Sequence, residues 1–160
     1  MSKEIERKFL LQNAPETLQE KAQKVFSIRQ GYITPPEAVP QVRVRSKGDK
    51  FFLTVKGQGT LERDEAEIEL SEVQFQVLWP LTEGRRLSKT RYELPYQQLT
   101  IEVDIFEEAL QGLMLAEVEF SSVEAGRSFQ APEWMGREVT EDERFTNSHL
   151  AASQLVPLMS

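Results

Sequence analysis

Alternation of apolar and polar residues with a period of two runs through most of this 160-residue chain and predicts strands. The first lies at the start, where Glu4, Glu6 and Lys8 alternate with Ile5 and Arg7 ahead of Phe9-Leu10-Leu11. Further strands are predicted at Ser27 to Ile33, Gln41 to Arg45, Phe51 to Lys56, Arg63 to Leu70, Arg86 to Leu94, Thr100 to Phe106 and Leu115 to Ser121. A Pro-rich loop, Thr34 to Pro40, and the turns Lys47-Gly48-Asp49 and Gly57-Gln58-Gly59-Thr60 separate them. Helical signals are fewer. Asn13-Ala14-Pro15-Glu16 supplies a cap, an early proline and a glutamate three residues after the cap, opening a short helix through about Lys24. Ser71 caps a helix carrying Val73, Phe75, Val77 and Leu78 that ends near Trp79-Pro80. Ser122 to Phe129 reads as one or two helical turns, and Thr140 with Glu143 forms a capping box for a final helix through about Gln154. No linker, repeat or low-complexity tract interrupts the chain, so a single domain over residues 1–160 is expected.

The two faces of these strands differ in chemistry. Val42, Val44, Leu53, Val55, Ile68, Ile101, Val103, Ile105 and Val118 are read as packed outward. The opposite faces carry Tyr32; Arg43 and Arg45; Thr54 and Lys56; Arg63, Glu65, Glu67 and Glu69; Lys89 and Arg91; Glu102 and Asp104; and Glu117 and Glu119. A face open to water mixes in Ser, Thr, Asn and Gln, whereas these positions are nearly all ionised. Enclosing so many charges is costly unless opposite charges or a metal lie between them.

Composition narrows what could lie there. With 39% hydrophobic and 28% charged residues the chain reads as soluble and globular, and its net charge of -7 argues against an open nucleic-acid surface. It has no cysteine, so disulfides and thiolate metal sites are excluded. The charged start has no apolar signal region and no later stretch is long enough for a bilayer, so a cytoplasmic protein without a membrane partner is expected. Carboxylates without histidine or cysteine partners suit a hard cation, Mg²⁺ or Mn²⁺. Facing rows of Arg and Lys suit a chain of phosphates. A polyanion together with its metal is the reactant pair of phosphoryl transfer, in which catalysis is largely positioning and charge neutralisation.

Eight short motifs then fall in one order. They are Glu4-x-Glu6-x-Lys8-Phe9, Gln30-Gly31-Tyr32-Ile33, Val42-Arg43-Val44-Arg45, Leu53-Thr54-Val55-Lys56-Gly57, Lys89-Thr90-Arg91-Tyr92, Ile101-Glu102-Val103-Asp104, Ala116-Glu117-Val118-Glu119-Phe120 and Gly136-x-Glu138-Val139-Thr140. From Met1 to about Ala152 the chain resembles the CYTH superfamily of triphosphate tunnel metalloenzymes, and in particular its small bacterial inorganic triphosphatases. The resemblance implies an α+β fold: a closed eight-stranded antiparallel β-barrel with flanking helices and a C-terminal helix. It makes Glu4, Glu6, Glu117 and Glu119 the main metal ligands, joined by Asp104 and Glu67. It makes Lys8, Arg43, Arg45, Lys56, Lys89 and Arg91 the triphosphate ligands, and Arg63 joins them on shared parity. Lys8 and Tyr32 resemble the pair that positions or activates the attacking water, with Lys8, crowded by other cations, the candidate base. The activity implied is metal-dependent hydrolysis of inorganic triphosphate to pyrophosphate and phosphate, in a homodimer for which the sequence has no feature of its own.

Three rivals stay open. A class IV-type adenylyl cyclase needs a base pocket, of which no local signature is found. A thiamine or nucleoside triphosphatase would differ at the tunnel mouth. A non-catalytic polyphosphate or nucleotide sensor is disfavoured by intact Glu4, Glu6, Lys8 and Tyr32. Elsewhere, His149 reads as a surface or cap-like residue and Trp79 and Trp134 as packing anchors. Lys47 and Lys50 read as solvated at a turn, and Gly57-Gln58-Gly59 as a hairpin turn. Arg137 and Arg144, beside the final helix, serve either to close over substrate or as surface ion-pair partners.

Overall fold

The computed structural model describes residues 2–58 and 62–158, excluding the side chains of residues 2–4, 62 and 63. The elements are β1 (Ser2–Leu10), α1 (Leu18–Lys21), β2 (Lys24–Tyr32), β3 (Gln41–Lys47), β4 (Lys50–Lys56), β5 (Glu62–Leu70), α2 (Glu72–Leu78), β6 (Arg86–Tyr96), β7 (Leu99–Phe106), β8 (Met114–Glu119), α3 (Val123–Ser128) and α4 (Asn147–Ser153). The strands form one strongly curled antiparallel sheet in the order β1-β5-β4-β3-β2-β6-β7-β8, and β1 also pairs with β8, so the pairing returns to its start.

β1 makes that return by dividing its length. Ser2 to Ile5 pair with β5, whereas Glu6 to Leu10 pair with β8. The other edge of the second half is taken by the segment after α3. There Gly136 N–H donates to Leu10 O, Leu10 N–H to Arg137 O, and Val139 N–H to Lys8 O, at 3.0, 2.8 and 2.8 Å. This strap satisfies backbone groups that β5 leaves open. Gly136 is required at its start, because an added Cβ would collide with the Leu10 carbonyl.

The strap also displaces a predicted feature. Thr140 makes no capping box with Glu143; its hydroxyl accepts from Lys8 N–H at 3.0 Å and donates to Glu138 Oε2 at 2.6 Å. The last helix is instead capped by Thr146, which accepts from His149 N–H, after a 3-10 turn at Glu143–Phe145. The helix predicted after Asn13 shrinks to α1, because β2 already begins at Lys24. Ser71 and Gln74 do form a capping box for α2.

Register confirms which residues share the inner face. Arg43 pairs with Thr54 and Tyr32, Lys56 with Glu65, Arg91 with Asp104, and Lys8 with Glu117. Outside, Ile5, Phe9, Ile101, Val103 and Val118 pack against residues of the α3 region, including Phe129 and Trp134, and Val44 and Leu70 pack against Phe75 of α2. Ile68, also outward, stays 57% exposed, since no described residue covers that part of the sheet. Inside, the two ends differ. Leu10, Leu87, Phe106 and Leu115, on the inner parity, meet Phe145, Leu150 and Ala151, so α4 and the turn before it fill one end with apolar side chains. Each such buried Leu or Phe contributes about 1.5–3 kcal/mol. The charged side chains are left to the remainder. No helix among the described residues is long and apolar enough to cross a membrane.

Candidate active site

All eight strands contribute to a cavity of about 320 Å³ inside the curled sheet. Its cations are Lys8, Arg43, Arg45, Lys47, Lys56, Lys89 and Arg91, and its carboxylates are Glu6, Glu65, Glu67, Glu102, Glu117 and Glu119. Tyr32 and Gln41 complete the strand contribution, and Thr146 and Asn147 enter from the start of α4. Of the residues singled out from the sequence, Glu4 and Arg63 lie with their side chains outside the described set, although their backbones are register partners.

One expectation needs correction. Lys47 is not a solvated turn residue: it shares the parity of Arg43 and Arg45, lines the cavity, and stands 3.6 Å from Glu93 and 4.5 Å from the Phe26 ring centre. Burial, with Arg45 and Arg91 adding repulsion, lowers its pKa. Asp104 lies behind the cavity wall, wholly buried, with both oxygens occupied. Arg91 reaches it through Nε at 2.7 Å and Nη2 at 2.8 Å, and Lys89 Nζ at 2.7 Å. It anchors the Arg91 and Lys89 side chains.

The ion pairs continue from that anchor. Arg91 lies 3.3 Å from Glu102 and 3.5 Å from Glu117, and Glu117 lies 3.3 Å from Lys8. Burial alone would raise the Asp104 and Glu117 pKa values, but Arg91 and Lys89 hold Asp104 below its ordinary value. Lys8, Arg91 and Lys89 hold Glu117 well below its own. Burial raises Glu102, with Arg91 opposing. Burial also lowers Lys89 to about 8 against the pull of Asp104, and lowers Arg45 to about 10 with Arg43 and Arg91 adding repulsion. Lys8 Nζ additionally donates to Phe145 O at 3.1 Å, and Lys89 Nζ to Asn147 Oδ1 at 3.2 Å. The turn before α4 is thereby the floor of the cavity.

Across the cavity, Glu67 accepts from Thr54 Oγ1 at 2.9 Å and stands 3.6 Å from Arg45 and 4.0 Å from Arg43. Glu67 thus sits among cations, apart from the β1 and β8 carboxylates. Among the described residues no three carboxylate or imidazole groups converge to hold a metal ion unaided. Glu6 and Glu119 are register partners, and Glu117 faces Lys8 two register positions along. Such a row fits an ion that takes one or two carboxylates and completes its shell with substrate oxygens.

Sequence reasoning did not single out Gln41, Lys47, Thr146 or Asn147; strand parity marks the first two, but nothing local marks the others. Neither Arg137 nor Arg144 lines the cavity, and Arg144 is tied to Asp142 at 2.7 Å on the surface. His149 lies beside its cap, with Nδ1 2.6 Å from Thr146 Oγ1.

Fold and cavity together define a class: a curled β-sheet protein built to hold a compact polyanion among its own counter-charges. The chain matches the CYTH domain over residues 2–150 and belongs to that family. It is 47% identical over 152 residues to an inorganic triphosphatase of Nitrosomonas europaea, covering 94% of this chain and 97% of that protein. An inorganic triphosphatase of Acetivibrio thermocellus is 40% identical over 152 residues, with 94% of each covered. A crystal structure of an inorganic triphosphatase superposes with a TM-score of 0.67 at 42% identity, covering 92% of this chain and 97% of that one.

Proposed function

We propose that this chain hydrolyses inorganic triphosphate to pyrophosphate and phosphate in a tunnel enclosed by its strands. The observation that carries the proposal is the internal charge pairing of the cavity, in which Lys8, Arg43, Arg45, Lys89 and Arg91 already face carboxylates. Triphosphate oxygens would take over the cations from these carboxylates, and a divalent ion would be held by the carboxylates so released. Little uncompensated charge is buried at any stage. The relatives named above are inorganic triphosphatases of nearly the same length.

Arg43, Arg45, Lys56, Lys89 and Arg91 bind the phosphate oxygens, with Lys47 added and Arg63 kept on parity. Glu6, Glu117 and Glu119, with Glu4, would hold the metal. Asp104 and Glu67 instead orient cations. Triphosphatases of this family are generally metal-dependent. Mg²⁺ or Mn²⁺ would neutralise charge on the phosphates and lower the pKa of a coordinated water. Water attacks the terminal phosphorus, its oxygen forming the new P–O bond while the bridging P–O bond breaks. Pyrophosphate leaves with the bridging oxygen, and the water's proton passes to solvent or to the Lys8 amine in its neutral form. Glu117 and the Phe145 carbonyl hold Lys8 Nζ in place, and Tyr32 directs its hydroxyl at the water.

Among the described lining residues Tyr32 is the one aromatic side chain and none is aliphatic, a lining suited to phosphates; a nucleobase or thiazolium ring would be recognised at the tunnel mouth. Triphosphate, ATP, thiamine triphosphate and longer polyphosphate, each with Mg²⁺ or Mn²⁺, separate the readings. Triphosphate should be among the best substrates with no cyclic AMP formed from ATP, and a clear preference for any other compound would displace the proposal.

A further inference from the structure

We propose that Gln30 is a positioning residue that aims the Tyr32 hydroxyl into the cavity. The proposal rests on the triphosphatase reading, in which Tyr32 orients the attacking water. Gln30 and Tyr32 lie two residues apart on β2, on the same inner face, and Gln30 has no exposed surface. Its Nε2 donates to Tyr32 Oη at 3.0 Å. A phenol has one proton and accepts through its remaining oxygen lone pairs. With the Gln30 amide donating to that oxygen, the phenolic proton turns away from Gln30, and Tyr32 is the member of the pair that lines the cavity.

Two further observations favour aiming over stabilisation as the role of Gln30. Among the described residues its buried Oε1 has no hydrogen-bond partner, which weakens a fold rather than strengthening it. An apolar side chain of the same length would serve packing better. Between the two residues, Gly31 packs against Thr82, whose Oγ1 would lie 2.5 Å from an added Cβ. The strand is therefore held at the point where the pair is displayed.

The test is Gln30→Met, alone and in a Tyr32→Phe background, with steady-state kinetics on triphosphate and thermal melts. Gln30→Met should lower kcat about 10- to 100-fold, as loss of aim does, and leave KM within about twofold. Its melting temperature should equal or exceed that of the unaltered protein. In the Tyr32→Phe background the same substitution should cost less than about twofold more, because the group it acts through is gone. A full further loss in that background, an effect on KM in place of kcat, or a fall in melting temperature that accounts for the lost activity would each overturn the role. Undiminished kcat in Gln30→Met, with the unaltered protein active and Tyr32→Phe impaired, would overturn this inference alone. An unaltered protein inactive on triphosphate would overturn the reading beneath it.

Discussion

Replacing Asp104 with asparagine separates an anchor for cations from a metal ligand. The carboxylate is wholly buried and meets Arg91 at 2.7 and 2.8 Å and Lys89 at 2.7 Å, so the substitution leaves two buried cations short of one charge. Removing one partner from such a pair costs about 3–5 kcal/mol, because the charge left behind is uncompensated. At about 2–4 °C per kcal/mol for a chain of this size, the melting temperature should fall by about 6–20 °C. Lys89 is already pushed down to about 8 by burial and held up by Asp104. It should give up its proton more readily in the variant and bind phosphate more weakly at neutral pH. Melts of the metal-free protein and a metal titration of activity form the assay. A melting temperature unchanged within about 2 °C, with the half-saturating metal concentration raised about tenfold or more, would refute the anchor reasoning and restore Asp104 as a ligand.

Lys8→Ala should reduce kcat by about 100-fold or more and leave KM within about threefold, whereas equal losses in both would make Lys8 a phosphate clamp. Glu6→Gln and Glu119→Gln should each raise the metal concentration for half-maximal rate about tenfold or more, with high metal restoring rate; an unchanged metal curve would remove them from the metal side. The pH dependence has two opposed signs, since Lys89 lies at about 8 in the fold against an ordinary 10.5. As pH rises through about 8 the ammonium is lost and KM for triphosphate should climb. Between about 8 and 10.5 the unfolded chain binds the extra proton, so the Lys89 contribution to folding stability rises over that same window. Lys89→Arg should flatten both trends, and a KM that stays level to the top of the window in the unaltered protein would contradict the assignment.

The strands were legible because period-two alternation is local, and their inner faces because parity needs no knowledge of neighbours. Lys47 shows the limit of reading locally: its place beside a Gly-Asp turn outweighed the parity it shares with Arg43 and Arg45. Asp104 shows another. Its parity marks it as inward, but whether it meets a metal or Arg91 depends on the register of β6 against β7, which no single strand encodes. Thr140 and Glu143 carry a capping pattern that tertiary contacts overrode, because the hydroxyl was needed by the Lys8 backbone and Glu138. The floor formed by Phe145, Thr146 and Asn147 was hidden for a similar reason. It is built from contacts between the last helix and strands more than fifty residues away, and those positions look in sequence like any helix start.

The most direct test of the account is ³¹P NMR of triphosphate turnover in ¹⁸O-enriched water with Mg²⁺ or Mn²⁺. Water attacking the terminal phosphorus predicts equal amounts of pyrophosphate and phosphate, with the label in the phosphate and none in the pyrophosphate. Label in the pyrophosphate, or no turnover of triphosphate with either metal, would contradict it.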